Sequence, residues 1–302
     1  YKVVEKAQGL EPAEIRKRCE DFARNFINIQ RQSFKRLGVL ADWDNPYLTL
    51  EPKYEADIIR AFSEFIEQGL VYASKKPVQW SFGAQTALAE AEVEYKDVTD
   101  TAIFVKFPIL SGDLAGESSL VIWTTTPWTL PANLAIAVNE KFEYIDGEFT
   151  DSGNSIHRLI IAKDLLEKFE AATEIKLTKT LNTFKGNYLK DCHTAHPFLD
   201  RQSPVIFGDF VTTETGTGAV HIAPGHGGDD YLAGKSAGLD VFSPVDDLGN
   251  YTEEVDVPEL VGKHVLKSND DIIRILEEKN ALVGRQEYTH SYPHCWRSKT
   301  PI

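Results

Sequence analysis

Apolar residues recur with two different periods along this chain. Over the first 70 residues, Ile15, Cys19, Phe22, Phe26 and Ile29 recur at steps of four and three, which places them on one helix face. Gly38 supplies a stop. A second helix is predicted from Glu51 and Pro52, with Tyr54, Ile58, Phe62, Phe65 and Ile66 as its stripe and Gly69 as its end. Core packing is the expected role of both stripes. From about residue 100 the period changes. Ile103, Val105 and Phe107 alternate with Phe104 and Lys106, and Leu120–Thr125, Leu134–Val138, Arg158–Ala162, Pro204–Thr212 and Gly218–Ile222 are short apolar or β-branched runs bounded by turn formers. Helices are predicted at Lys163–Phe169 and Asp270–Lys279, the second capped by Ser268 or Asn269. Phe242–Gly262 holds six acids and no Lys or Arg, and is expected to be a solvated loop. The pattern predicts a β-rich barrel or sandwich with added helices, following a helical start.

Composition narrows the classes. The chain has 302 residues, 42% of them apolar and 26% charged, as in ordinary globular proteins. No apolar run approaches the roughly 18–20 residues of a membrane span. Three scattered cysteines, Cys19, Cys192 and Cys295, form no disulfide framework, which points to a reducing compartment. The chain starts at Tyr1 and contains no Met, the pattern expected of an internal fragment; the wider lack of Met has no explanation in the sequence. A net charge of −14 argues against a broad grip on nucleic acid, so any such contact should be small.

Two segments carry candidate chemistry. Trp123–Asn133 places Thr124, Thr125, Thr126 and Thr129 around Pro127, where a strand breaks. Their hydroxyls donate and accept hydrogen bonds, although an ordinary strand end with a turn at Asn133 accounts for the same residues. Gly216–Tyr231 carries His221 on a strand into a Gly-rich loop that ends at Asp229 and Asp230. Such a loop allows close approach of a ligand, while Asp230 also suits a plain helix cap. His221, His226, Asp229 and Asp230, or Cys192, His193 and His196, are conceivable metal ligands, but neither spacing is a short metal signature. No phosphate-loop motif is present.

Together the two segments resemble the signature stretches of the editing domain of isoleucyl-tRNA synthetases. Arg36–Leu40 with Asp42 and Trp43, Ala87–Tyr95 and His290–Trp296 resemble the sequences flanking that insertion. The valyl and leucyl enzymes share the insertion and remain alternatives. The resemblance implies an α+β fold, with a β-rich, barrel-like editing domain inserted into a helical fragment of a Rossmann-type α/β catalytic core. It implies a core fragment over 1–85, an editing domain over 86–288 and a return segment over 289–302. The HIGH and KMSKS adenylation signatures are absent from the sequence. The implied activity is therefore hydrolysis of Val-tRNA(Ile), with a tRNA 3′-end-binding module lacking activity of its own as the alternative.

The resemblance also assigns roles. Asp230 binds the substrate ammonium, His221 is a wall limiting side-chain size, and Thr124, Thr125, Thr126, Thr129 and Asn133 line the ester and terminal adenosine, with Trp128, Gly218 and Ala219 as further binding positions. The implied partners are the valine-charged 3′ end of tRNA(Ile) and the remainder of a synthetase chain, without a membrane, in the cytoplasm. Editing needs no cofactor; ATP and Mg belong to the full-length parent. Some relatives carry two Cys-x-x-Cys pairs at positions matching Ser81, Ala84, Cys295 and Ser298; with three of four thiols missing, no structural zinc is expected.

Overall fold

A computed structural model describes residues 9–302. The first eight residues, with which the expected 1–85 segment begins, lie outside them. The chain divides into two compact units between Ser74 and Lys75.

In the first unit, α1 (Pro12–Arg36) and α2 (Pro52–Glu67) each begin with proline in the first turn, where a missing N–H costs nothing. Both end at left-handed glycines, Gly38 and Gly69. The apolar stripes do not form the expected core. Neither helix has a buried residue, and Phe26 and Phe62 remain 42% and 53% exposed.

The second unit is β-rich. A small hairpin, β1 (Trp80–Ser81) and β2 (Thr86–Ala87), comes first. The strands that follow are β3 (Val93–Pro108), β4 (Ser119–Thr124), β5 (Ala135–Val138), β6 (Glu143–Thr150) and β7 (Ile156–Ala162). Helix α3 (Leu166–Thr173) precedes β8 (Lys176–Lys185), β9 (His193–Ala195), β10 (Gln202–Phe207) and β11 (Ala219–Ile222). Helices α4 (Gly228–Ser236) and α5 (Asn269–Glu278) and strand β12 (Leu282–Cys295) complete the unit. One sheet has the order β12-β3-β4-β7-β6-β8 and the other β11-β5-β10-β9. The β4–β7 and β5–β10 pairs are parallel and the remaining neighbours antiparallel. The fold is mixed α and β, as expected.

Ile103, Val105 and Phe107 of β3 and Leu120 and Ile122 of β4 share one core with Ile136 and Val138 of β5 and Val205 of β10. On the other face of the large sheet, Phe104, Val121 and Ile161 pack with Phe169 of α3. The central strands are thus buried on both faces, which explains their near-continuous apolar runs.

Three expectations need correction. The strand at Pro204–Thr212 ends at Phe207, and the rest is turn and bend. The acidic stretch 242–262 is no free loop, because Tyr251, Val255, Val257 and Leu260 enter the main core. Ser268 occupies the N-cap position of α5 but its hydroxyl donates to Val265 O at 2.7 Å, while Asn269 Oδ1 accepts from Trp128 N at 3.2 Å. Strand β12 pairs with β3 from Leu282↔Val105 to Cys295↔Val93, apart from one irregularity near Gly284.

Candidate active site

Strand β4 ends at Thr124, and a 3-10 turn over Pro127–Ala132 redirects the chain. The stretch between them satisfies itself locally. Thr126 N donates to Thr124 Oγ1 at 3.0 Å, the Thr124 and Thr126 hydroxyls lie 3.2 Å apart, and Thr129 Oγ1 donates to Thr126 O at 2.9 Å. A wall of hydroxyls results.

The facing wall is held by distant residues. Thr217 Oγ1 donates to Val121 O at 2.5 Å, and Tyr144 OH donates to Gly218 O at 2.7 Å. Burial pushes the Tyr144 phenol up to about 12, so it stays a donor. Gly218 has φ +81°, and a Cβ there would run into Ala162, so this crossing tolerates only glycine. Beyond it, β11 pairs with β5 and carries His221 opposite Ile136.

His221 Nε2 lies 3.0 Å from Thr129 Oγ1. The Thr129 proton is already committed to Thr126 O, so the imidazole donates through Nε2–H and Nδ1 is the unprotonated nitrogen. That Nδ1 is buried and has no hydrogen-bond partner. Burial pushes His221 down to about 4. Burial, reinforced by His221, also brings His226 down to about 4. Both rings are therefore neutral at pH 7.

The loop after β11 leads into α4, whose third residue is Asp230. Asp230 Oδ1 accepts from Ala223 N at 2.8 Å, and its other oxygen lies over Gly227, where a Cβ would collide with it. Burial raises the Asp230 carboxyl above its ordinary range, with Asp229 adding to the shift and backbone N–H groups opposing it.

Thr124, Thr125, Thr126, Thr129, Gly218, Ala219, His221 and Asp230 line one pocket of about 390 Å³. Asp229 faces a neighbouring groove instead. Asn133 and Trp128 do not line the pocket. Asn133 is fully buried, accepts from Ser203 Oγ at 2.6 Å and donates to Ala135 O at 2.8 Å, so it ties β10 to the segment before β5. The Trp128 ring stands edge-on to His226, with centroids 5.2 Å apart. Thr217 and Phe210 also line the pocket. The Gly-Thr-Gly run was the available signal for Thr217, whereas nothing local distinguishes Phe210.

The donors do not suit a metal. His221 Nε2 is taken by Thr129 and Asp230 Oδ1 by Ala223. His196 donates through Nε2 to Leu130 O and accepts the Phe198 and Leu199 N–H groups through Nδ1, which occupies both nitrogens. Among the described residues no group of three or more His, Cys, Asp or Glu could hold a metal ion. At the junction, Ser81 Oγ lies 3.4 Å from Ser298 Oγ and accepts from Ala84 N at 3.2 Å. Burial works against a Cys295 thiolate, yet hydrogen bonds from Ser298 and Ser81 bring this thiol down to about 7. The four positions meet, but one thiol and two hydroxyls do not fit a tetrahedral zinc site.

Residues 2–296 match the class I tRNA synthetases (I, L, M and V), and the chain belongs to that family. Within it, the chain is 48% identical over 303 residues to the isoleucine–tRNA ligase of Petrotoga mobilis, covering 100% of this chain and 32% of that one. It is 46% identical to the isoleucine–tRNA ligase of Desulforamulus reducens, covering 96% of this chain and 31% of that one. The chain thus spans about a third of the length of these curated relatives. The solved editing domain of the P. knowlesi cytosolic leucyl-tRNA synthetase matches with a TM-score of 0.46 and 11% identity, over 65% of this chain and 98% of that one. Among the described residues, no helix is long and apolar enough to cross a membrane.

Proposed function

We propose that the pocket hydrolyses the aminoacyl ester of valine-charged tRNA(Ile). Isoleucine and valine differ by one methylene, whose burial discriminates by only about 10–200-fold, a figure for which isoleucyl-tRNA synthetases are themselves the standard example. A second site that admits valine and excludes isoleucine supplies further accuracy. The observation that carries the reading is the Asp230 carboxylate, anchored through Oδ1 to Ala223 N and lining one pocket with the hydroxyls of Thr124, Thr125, Thr126 and Thr129. Burial raises its pKa, and the ammonium of an aminoacyl ester would offset that cost through a charge-assisted hydrogen bond.

The chemistry asks little of a base. His221 offers none, since one nitrogen donates to Thr129 and the other is closed off. Its ring serves as a wall, beside Val220 and Ile222. Water is oriented by the Thr124, Thr125 and Thr126 hydroxyls, and positioning with electrostatic stabilisation carries the rate. No cofactor takes part in this step; ATP and Mg serve the adenylation reaction of a full-length synthetase, whose remaining chain is a partner of this one along with tRNA.

The test is deacylation of Val-tRNA(Ile) and Ile-tRNA(Ile), side by side, by this chain. Rapid release of valine with isoleucine retained is expected. Binding of tRNA without release would leave a passive 3′-end-binding module, and equal release of both amino acids would remove the editing reading. Loss of activity in a strong chelator would return the metal-dependent alternative.

A further inference from the structure

Phe210 lies on the loop between β10 and β11, where it lines both the catalytic pocket and an adjoining groove of about 440 Å³. The groove is apolar along Ile206, Phe207 and Leu232, of which Phe207 is 37% and Leu232 61% exposed. Phe210 is itself 38% exposed. Its ring lies on the Cα of Gly208, where any Cβ would penetrate it. Glycine at 208 therefore seats the ring in one place, and among the described residues Phe210 has no ring–ring partner. A preplaced aromatic with a partly open surface sits at the lip of a pocket that takes the end of a polymer.

The geometry points to Phe210 as the stacking platform for the base that precedes the terminal adenosine of the tRNA. The inference rests on the hydrolytic reading above: a chain whose last ester enters the pocket must leave across its rim, and the apolar groove continues from that rim. Aromatic rings hold single-stranded bases through their π-faces without sequence preference. The charge at the rim agrees with a contact of one base. Asp229 lines the groove there, and a carboxylate at the rim suits a flat base better than a run of phosphates.

The experiment compares Val-tRNA(Ile) with the valyl ester of adenosine, which has no preceding base, using the wild-type chain and the F210A, F210L and F210W variants. A parallel arm measures binding of the trinucleotide CCA against adenosine. F210A and F210L should lower the ratio of kcat/KM for Val-tRNA over valyl-adenosine by roughly 5- to 150-fold, the value of one stacked base. They should weaken CCA relative to adenosine by a similar factor, and F210W should retain both. F210L keeps most of the apolar volume, so a folding defect confined to F210A would not hide the result. Equal losses on both substrates, or no loss on either, would overturn the platform and leave the groove to a protein segment. If no ester is hydrolysed yet the CCA contrast appears, the platform stands and the hydrolytic reading falls. If hydrolysis is present and the contrast absent, the reverse holds.

Discussion

On the threonine side of the pocket, the polar groups bond to one another within six residues of chain, from Thr124 to Thr129. On the opposite side, His221 reaches Thr129, 92 residues away, and the Gly216–Gly218 crossing is held by Val121 and Tyr144. The first wall is a local turn that presents neutral hydroxyls. The second is a tertiary assembly that desolvates its ionisable groups, lowering His221 and His226 and raising Asp230. On the proposed function, charge recognition and size exclusion would fall to the assembled wall, and orientation of water to the local one.

Asp230→Ala breaks this contrast most severely. Loss of the ammonium partner should lower kcat/KM on Val-tRNA by about 10- to 150-fold, the value of a charge-assisted hydrogen bond, with the fold intact by circular dichroism. Asp229→Ala, altering the neighbouring groove, should stay near wild type. The reverse pattern would move the ammonium site by one residue.

His221→Ala separates wall from base. Removal of a wall should let Ile-tRNA be hydrolysed while Val-tRNA hydrolysis persists, collapsing a preference of up to about 200-fold. A general base would instead slow both substrates by about 10²–10⁴-fold. Single-turnover deacylation of the two charged tRNAs decides between them.

Acid should act through the assembled wall. Unfolded histidines titrate near 6.5, whereas His221 and His226 titrate at about 4 and buried His196 at about 3. Between these values the unfolded chain takes up protons that the fold refuses, so stability is present above about 6.5 and is lost as pH falls toward 4. Each histidine costs about 1.4 kcal/mol per pH unit in that window. Asp230 offsets part of this, because its raised pKa lets the fold take up a proton earlier than the unfolded chain. Urea unfolding at pH 7 and pH 5 measures the loss, and His226→Gln should reduce it.

The smallest effect tests the link between the walls. Thr129→Val leaves the His221 N–H without its acceptor and should cost about 1–3 kcal/mol of stability, with Thr129→Ser restoring most of it. Urea midpoints for the two variants check this; equal midpoints would mean that the bond contributes nothing.

Legibility in the sequence followed the same division. The buried strands β4, β5, β7 and β11 were marked by apolar runs between turn formers. Strand β12 and the outer half of β3 were not, because their alternating faces are largely exposed and polar, and only pairing with each other defines them. The stripes of α1 and α2 were legible as helix but not as exposed surface, since period reports which residues share a face and not what covers it.

The amino-acid order by itself determined that a threonine-rich turn and a Gly-rich loop bearing His221 and Asp230 exist, because turn chemistry and strand period act over a few residues. Only the tertiary structure decided which of these groups share a pocket. Asp230 enters it and Asp229 does not, Asn133 is drawn away by Ser203 from 70 residues along the chain, and Trp128 turns toward His226. The protonated nitrogen of His221 is set by a hydroxyl 92 residues distant. Hydrogen bonds and packing between remote segments make these choices, and no local pattern encodes them.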